Sequence, residues 1–297
     1  MSNLTVFLAI VVIVAGFAFW LHLAFRVPKS CQQVTPESLG LHSTACSVPA
    51  ENGKYLATWL LEPKSSVLSD TTVIIVHGWG ANKSLMLPLA KPFYDLGVNV
   101  CLFDSRNHGN SESDSFSSMP KFASDIESVH RYLSQHHPHQ MRSVFLLGHS
   151  VGAGAVLLAA SRKLPLNGVI SIAAFAHPEL AMRRFLHKLT NVPALIPLIL
   201  AYVEWIIGYK FEQIAPMNTI QKVTSALMIV HGNADKTVPI EDGYLIYQQA
   251  KKGISQQIRF LEIDGADHDG VEKIELHKQE LTDFVLHNRK RSEEQNL

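Results

Sequence analysis

The chain has 297 residues, 26 Lys+Arg against 26 Asp+Glu and a formal net charge of zero, with 47% hydrophobic and 18% charged residues. Without a basic excess there is no sequence-wide field for a phosphate backbone, so nucleic acid is not an expected partner. A chain this apolar offsets its ordering entropy by burial, which excludes wholesale disorder, and its length suits one large α/β domain or two small ones.

In chain order, the first feature is Leu4 to Phe25, a run of 22 residues without Asp, Glu, Lys or Arg. As a helix it would extend about 33 Å, enough for a hydrocarbon core of about 30 Å. No Lys or Arg precedes the run and no convincing A-x-A site follows it. Cutting at Gly16-Phe17-Ala18 would leave Phe19-Trp20-Leu21 as an exposed apolar terminus. The reading is therefore a retained N-terminal transmembrane helix within residues 1–30, with a cleaved signal peptide as its rival. Arg26 and Lys29 flank its C-terminal end and favour, by the positive-inside tendency, a cytoplasmic main domain.

Cys31, Cys46 and Cys101 are too few and too odd for a disulfide framework; Cys101 lies in an apolar run, and a Cys31–Cys46 bridge is the reading only for an exported domain. A glycosylation acceptor, Asn82-Lys83-Ser84, lies in a loop where a glycan would obstruct substrate, which argues against a lumenal domain.

After a linker from Val27 to about Leu39, Leu41 to Val48 and Tyr55 to Glu62 read as a hairpin around Glu51-Asn52-Gly53. Val73 to Val76, Val98 to Phe103, Val144 to Leu147, Val169 to Ile172, Leu227 to Val230 and Ile258 to Ile263 are mainly apolar runs, as expected of strands buried on both faces of a parallel sheet. Phe122 to Gln135, Gly152 to Lys163, Asp242 to Lys251 and Glu272 to Asn288 read as intervening helices. The alternation predicts an α/β fold, mostly parallel, with an antiparallel start.

Some fifty residues, Ala174 to about Thr224, separate two of these strands, far more than a simple crossover requires. Within them Asn191 to Tyr209 carries one charge, Glu204, and two prolines, Pro193 and Pro197. A mid-segment carboxylate and prolines make a second membrane span expensive. The expectation is a helical cap whose apolar face lines a substrate channel or touches the bilayer. Arg289 to Leu297 reads as a frayed polar tail.

The chemistry concentrates at strand ends. Gly148-His149-Ser150-Val151-Gly152 follows one apolar run and opens a stretch of small residues suited to a helix, the context of a nucleophile elbow. A serine hydroxyl needs a base oriented by a carboxylate. In the order nucleophile, acid, base, the candidates are Asp235, just past Leu227 to Val230, and His268, just past Ile258 to Ile263. Loops beyond the carboxyl ends of strands are where open α/β sheets place their sites. Asp267 and Asp269 adjoin His268 in sequence, but near neighbours in a loop seldom have the geometry to orient its ring. His77, His149 and His231 at strand ends read as satisfied turn histidines, and His136, His137 and His139 as a solvated loop, with no metal-ligand pattern. An oxyanion would be held by the amides of Val151 and of Trp79, the latter within His77-Gly78-Trp79-Gly80.

These residues, with Asp104-Ser105-Arg106-Asn107-His108-Gly109-Asn110-Ser111, make residues 40–290 resemble the alpha/beta-hydrolase superfamily. The Asp104 to Ser111 segment is similar to the D-x-R-x-H-G-x-S loop of its esterase, monoacylglycerol-lipase-like and serine-aminopeptidase-like branches, where it is structural. The resemblance implies an alpha/beta-hydrolase domain over residues 31–297 with a cap insertion at about 175–222. It also implies a Ser150–Asp235–His268 triad, no cofactor or metal, and hydrolysis through an acyl-enzyme. Carboxylic esters, acyl lipids or acylglycerols, are the expected substrates; thioesters, amides and acyl transfer would use the same residues. A non-catalytic scaffold on the same fold is the alternative from another class, and the intact motifs argue against it.

Overall fold

The computed structural model describes residues 5–8, 12, 16, 19, 27, 29–64, 68–189, 192–255, 257–270, 273–274 and 276–289. Among these residues eight strands form one sheet: β1 Ser43–Pro49, β2 Tyr55–Leu61, β3 Leu68–Val76, β4 Val98–Phe103, β5 Ser143–His149, β6 Gly168–Ile172, β7 Ala226–Gly232 and β8 Ile258–Ile263. Their order is β1-β2-β4-β3-β5-β6-β7-β8. β2 pairs antiparallel with β1 and β4, and every other pairing is parallel. The turn between β1 and β2 places Asn52 at φ +59°, a left-handed conformation that Asn tolerates.

The period of two along each strand divides the core into two layers. Ile74, Val76 and Leu146 face one layer with Phe122, Val129 and Val156. Val73, Ile75 and Leu147 face the other with Phe93 and Phe284. The first layer is covered by α2 (Met119–His136) and α3 (Val151–Ser161), the second by α1 (Leu87–Asp95) and α9 (Lys278–Asn288). Ser118 begins α2, its hydroxyl accepting the Lys121 N–H. Helix α1 has no counterpart in the sequence reading. Pro88 stands in its first turn, where proline is tolerated, and Pro92 lies in its interior, yet Leu87, Leu89, Ala90 and Phe93 bury one face of it.

Between β6 and β7 the chain forms α4 (Pro178–Leu189), α5 (Ile196–Ile207), α6 (Phe211–Ile214) and α7 (Pro216–Thr219); α8 (Ile240–Ala250) follows β7. The apolar Asn191 to Tyr209 stretch is thus interrupted: a 3-10 turn at Pro193–Leu195 precedes α5, and Gly208 ends it at φ +73°. At twelve residues α5 is about 18 Å long, well short of a bilayer core. Glu204 is accommodated because its carboxylate accepts the Phe211 N–H at 2.8 Å and pairs with Lys210 at 2.8 Å.

Among the described residues no helix is long and apolar enough to cross a membrane. Most of the expected N-terminal transmembrane segment lies outside them; residues 5–8, 12, 16 and 19 are helical and exposed. The three cysteines are free.

Candidate active site

At the end of β5 the chain reverses into α3 through Ser150, which sits at φ +55° and ψ −119°. That conformation is unfavourable for an L-residue by about 1–3 kcal/mol and persists because its surroundings impose it. The Ser150 N–H donates to Ile172 O at 2.9 Å, and its carbonyl accepts the Gly154 N–H at 3.2 Å. The flanking glycines are required by close approach: a Cβ at Gly148 would lie 2.3 Å from Gly152 O, and one at Gly152 would lie 2.5 Å from His77 O.

Ser150, Asp235 and His268, 118 and 33 residues apart along the chain at the two contacts, meet at one sheet edge. His268 Nδ1 lies 2.7 Å from Asp235 Oδ2, and His268 Nε2 lies 2.9 Å from Ser150 Oγ. A carboxylate only accepts, so Nδ1–H donates to Asp235, leaving the Nε2 lone pair to accept from the serine hydroxyl. Asp235 Oδ1 accepts the N–H groups of Thr237 and Val238, both at 2.8 Å. Burial pushes the Asp235 carboxyl up, but the bonds from His268, Val238 and Thr237 outweigh it and hold the group below the usual carboxylate range. Asp267 and Asp269 are exposed and stand outside this network.

Trp79 lies in the loop after β3 and Val151 at the start of α3. The 78–79 backbone adjoins the serine, since a Cβ at Gly78 would lie 3.2 Å from Ser150 Cβ. Both residues line a cavity of about 310 Å³ with Phe175, Met182, Phe185 and Val203. This cavity runs under α4 and α5, so the apolar face of the inserted helices does line space beside Ser150.

Two supports escaped the sequence reading. Lys83, in the glycosylation acceptor, is buried against Asp104: its ammonium lies 2.6 Å and its N–H 2.7 Å from the carboxylate, which also accepts the Asn110 N–H at 2.8 Å. The pair joins the Trp79 loop to the Asp104 to Ser111 loop. Arg106 in turn forms a buried pair with Asp125 at 2.6 Å. Asn82 is only 1% exposed, and its amide donates to Ser30 Oγ at 3.0 Å and Cys31 O at 3.3 Å. The folded chain leaves no room for a glycan on that nitrogen. Lys83 carried no recognisable signal, because its partner lies 21 residues away.

A mostly parallel eight-stranded sheet with an antiparallel start, and a strained serine between a strand and a helix, define an alpha/beta hydrolase. A family model described as serine aminopeptidase, S33, matches residues 69–216. The uncharacterized protein YqkD of Bacillus subtilis is 26% identical over 216 residues, 71% of this chain and 69% of that protein. Protein phosphatase methylesterase 1 of Candida albicans is 38% identical over 97 residues, 32% of this chain and 26% of that protein. The esterase Pf2001 of Pyrococcus furiosus superposes with a TM-score of 0.73 at 19% identity, covering 89% of this chain and 97% of its own. The chain belongs to the alpha/beta-hydrolase superfamily.

Proposed function

We propose that the protein is a serine hydrolase of carboxylic esters, with acyl lipids as its substrates, held to a membrane by its N-terminal segment. The observation that carries this reading is the single imidazole of His268 bridging Asp235 at 2.7 Å and Ser150 at 2.9 Å. Ser150 Oγ attacks the ester carbonyl carbon while His268 Nε2 takes its proton, and Asp235 stabilises the resulting imidazolium. The oxyanion accepts from the Trp79 and Val151 amides, each donor contributing about 3–4 kcal/mol in the transition state. Collapse breaks the C–O bond, and His268 returns the proton to the departing alcohol. Water then attacks the acyl-serine carbon, gives its proton to His268, and the acid leaves as Ser150 regains its hydrogen.

The apolar cavity between α4, α5, Trp79 and Val151 supports an acyl chain as the bound group. The 22-residue run Leu4 to Phe25 supports membrane attachment. The residues that follow it pack beside the site: Lys29 Nζ donates to Ser111 O at 2.6 Å, and Asn110 Nδ2 to Gln32 Oε1 at 3.1 Å. On the outer face of α5, Trp205 is 74% and Leu198 63% exposed, which favours bilayer contact through the cap as well. Arg26 and Lys29 favour a cytoplasmic domain.

The match to a serine-aminopeptidase model favours amides as a second reading. The test is fluorophosphonate labelling followed by a panel of monoacylglycerols, short esters, thioesters and peptide amides. Labelling lost in Ser150→Ala, with esters turned over fastest, is the expected result; undiminished labelling in that variant rejects Ser150. Protease protection in intact membranes tests the side, and digestion from the exterior alone overturns the cytoplasmic placement.

A further inference from the structure

Three histidines that the proposed chemistry does not use share a geometry. His77 follows β3, while His149 and His231 stand at the ends of β5 and β7, and all three are buried. His77 Nδ1 lies 2.7 Å from Gly78 O. His149 Nε2 lies 2.8 Å from His268 O. His231 Nε2 lies 2.8 Å from Val238 O.

Each of these contacts has one chemical reading. A carbonyl only accepts, so each of these ring nitrogens carries a hydrogen and donates. At His77 the assignment is doubly determined, because Nε2 receives the Ser105 N–H at 3.0 Å and must be the bare nitrogen. At His231 the other nitrogen, Nδ1, is buried without a hydrogen-bond partner among the described residues, so a second ring proton there would be stranded. Burial lowers the basicity of all three rings, that of His77 to about 4 with help from neighbouring His108. They are neutral, single-donor imidazoles.

Each of the three carbonyls belongs to a different part of the site. The Gly78 carbonyl is the other half of the peptide whose N–H belongs to Trp79. In a planar trans peptide the two point in opposite directions, and among the described residues there is no cis bond. Holding that carbonyl aims the amide. The His268 carbonyl belongs to the residue that bridges Ser150 and Asp235. The Val238 carbonyl belongs to the turn whose Thr237 and Val238 amides hold Asp235 Oδ1.

We infer that His77, His149 and His231 are positioning residues, each a neutral donor that fixes one loop of the site: the oxyanion peptide, the base loop and the acid loop. The inference rests on the serine-hydrolase reading above. A buried neutral imidazole suits this task because it is rigid, carries its donor several bonds from the backbone, and brings no charge near the Asp235–His268 pair.

The test uses steady-state kinetics of the full chain on a short soluble ester, with folding checked by near-ultraviolet circular dichroism. A glutamine amide places its N–H near the imidazole Nε2 position and an asparagine amide near Nδ1. His149→Met and His231→Met should lower kcat by about 10- to 100-fold with KM changed less than about threefold, as for a misplaced reacting group. His149→Gln and His231→Gln should recover most of that loss, and His149→Asn and His231→Asn should not. At His77 the order reverses, with His77→Asn recovering what His77→Leu loses. The inference is overturned if the apolar variants keep wild-type kcat, or if the wrong-length amides serve as well as the right ones. Where an apolar variant fails to fold, the comparison between the two amides decides alone. Ser150→Ala run in parallel separates the two levels. Activity surviving in that variant rejects the serine-hydrolase reading, whereas activity lost there but untouched in the histidine variants rejects only the positioning roles.

Discussion

Asp235 shows how a single residue's role follows from contacts and not from proximity in sequence. Asp267 and Asp269 adjoin His268 in the chain yet face solvent, while Asp235, 33 residues away, meets its ring at 2.7 Å. Asp235→Asn removes the acceptor that selects the reactive tautomer, so kcat for ester hydrolysis should fall by about 10⁴-fold. Asp267→Asn should leave kcat within about twofold, since exposed side chains away from the network change little. Comparable losses in both variants would reassign the acid. The elbow was legible residue by residue, because Gly148 and Gly152 stand where any side chain would collide with backbone. Lys83 was not, because a lysine's burial depends on a carboxylate brought to it by folding.

At the scale of elements, the strands were the most legible features, since burial on both faces demands continuous apolar runs. Val98–Phe103 and Ile258–Ile263 occupy the expected residues, although β8 is a partly open edge strand; the other parallel strands extend the expected runs by a few residues, while β1 starts two residues later and β2 ends one earlier. Helix α1 was less legible, because Pro92 lies in its interior, a cost that its buried face offsets. The inserted helices were legible as an insertion, but which faces meet the cavity follows from how α4 and α5 pack. Met182 of α4 lines the cavity beside Ser150, so Met182→Trp should fill part of its volume. We expect kcat/KM for long-chain esters to fall by about tenfold or more, and that for acetyl esters to change less than about threefold, as pocket-shape discrimination of a few methylenes allows. Equal losses for both would mean that the acyl chain lies elsewhere.

For the whole molecule, the histidines couple stability to pH. His77, His108, His130, His149 and His231 are all less basic than a free imidazole, in each case chiefly through burial. Below the free histidine value of about 6.5 the unfolded chain takes up protons that the folded chain refuses, so stability declines as pH falls, each unit of depression contributing about 1.4 kcal/mol. Asp125, which burial pushes up to about 7, acts with the opposite sign, because the folded chain retains its proton over the same window. The rise at Asp125 and the fall at His77 are of similar size and opposite sign, so the four other rings set the direction. Urea unfolding followed from pH 7.5 to pH 4.5 should show a midpoint that falls steadily; a midpoint that is flat or rises on acidification would contradict the buried neutral state of these rings.

What the sequence determined by itself was whatever repeats locally or excludes side chains: the strand runs, the two glycines around Ser150, and an apolar N-terminal run too long for an ordinary core element. Those features are written in consecutive residues, because strand burial and the close approach of Gly148 to Gly152 act over a few positions. Tertiary structure alone decided which carboxylate meets His268, which lysine closes on Asp104, and which carbonyl each strand-end histidine holds. The contacts of His268 with Asp235, of Lys83 with Asp104 and of His149 with the His268 carbonyl join residues brought together only when the strands align their ends, and a hydrogen bond at 2.7 Å is indifferent to how many residues separate its partners.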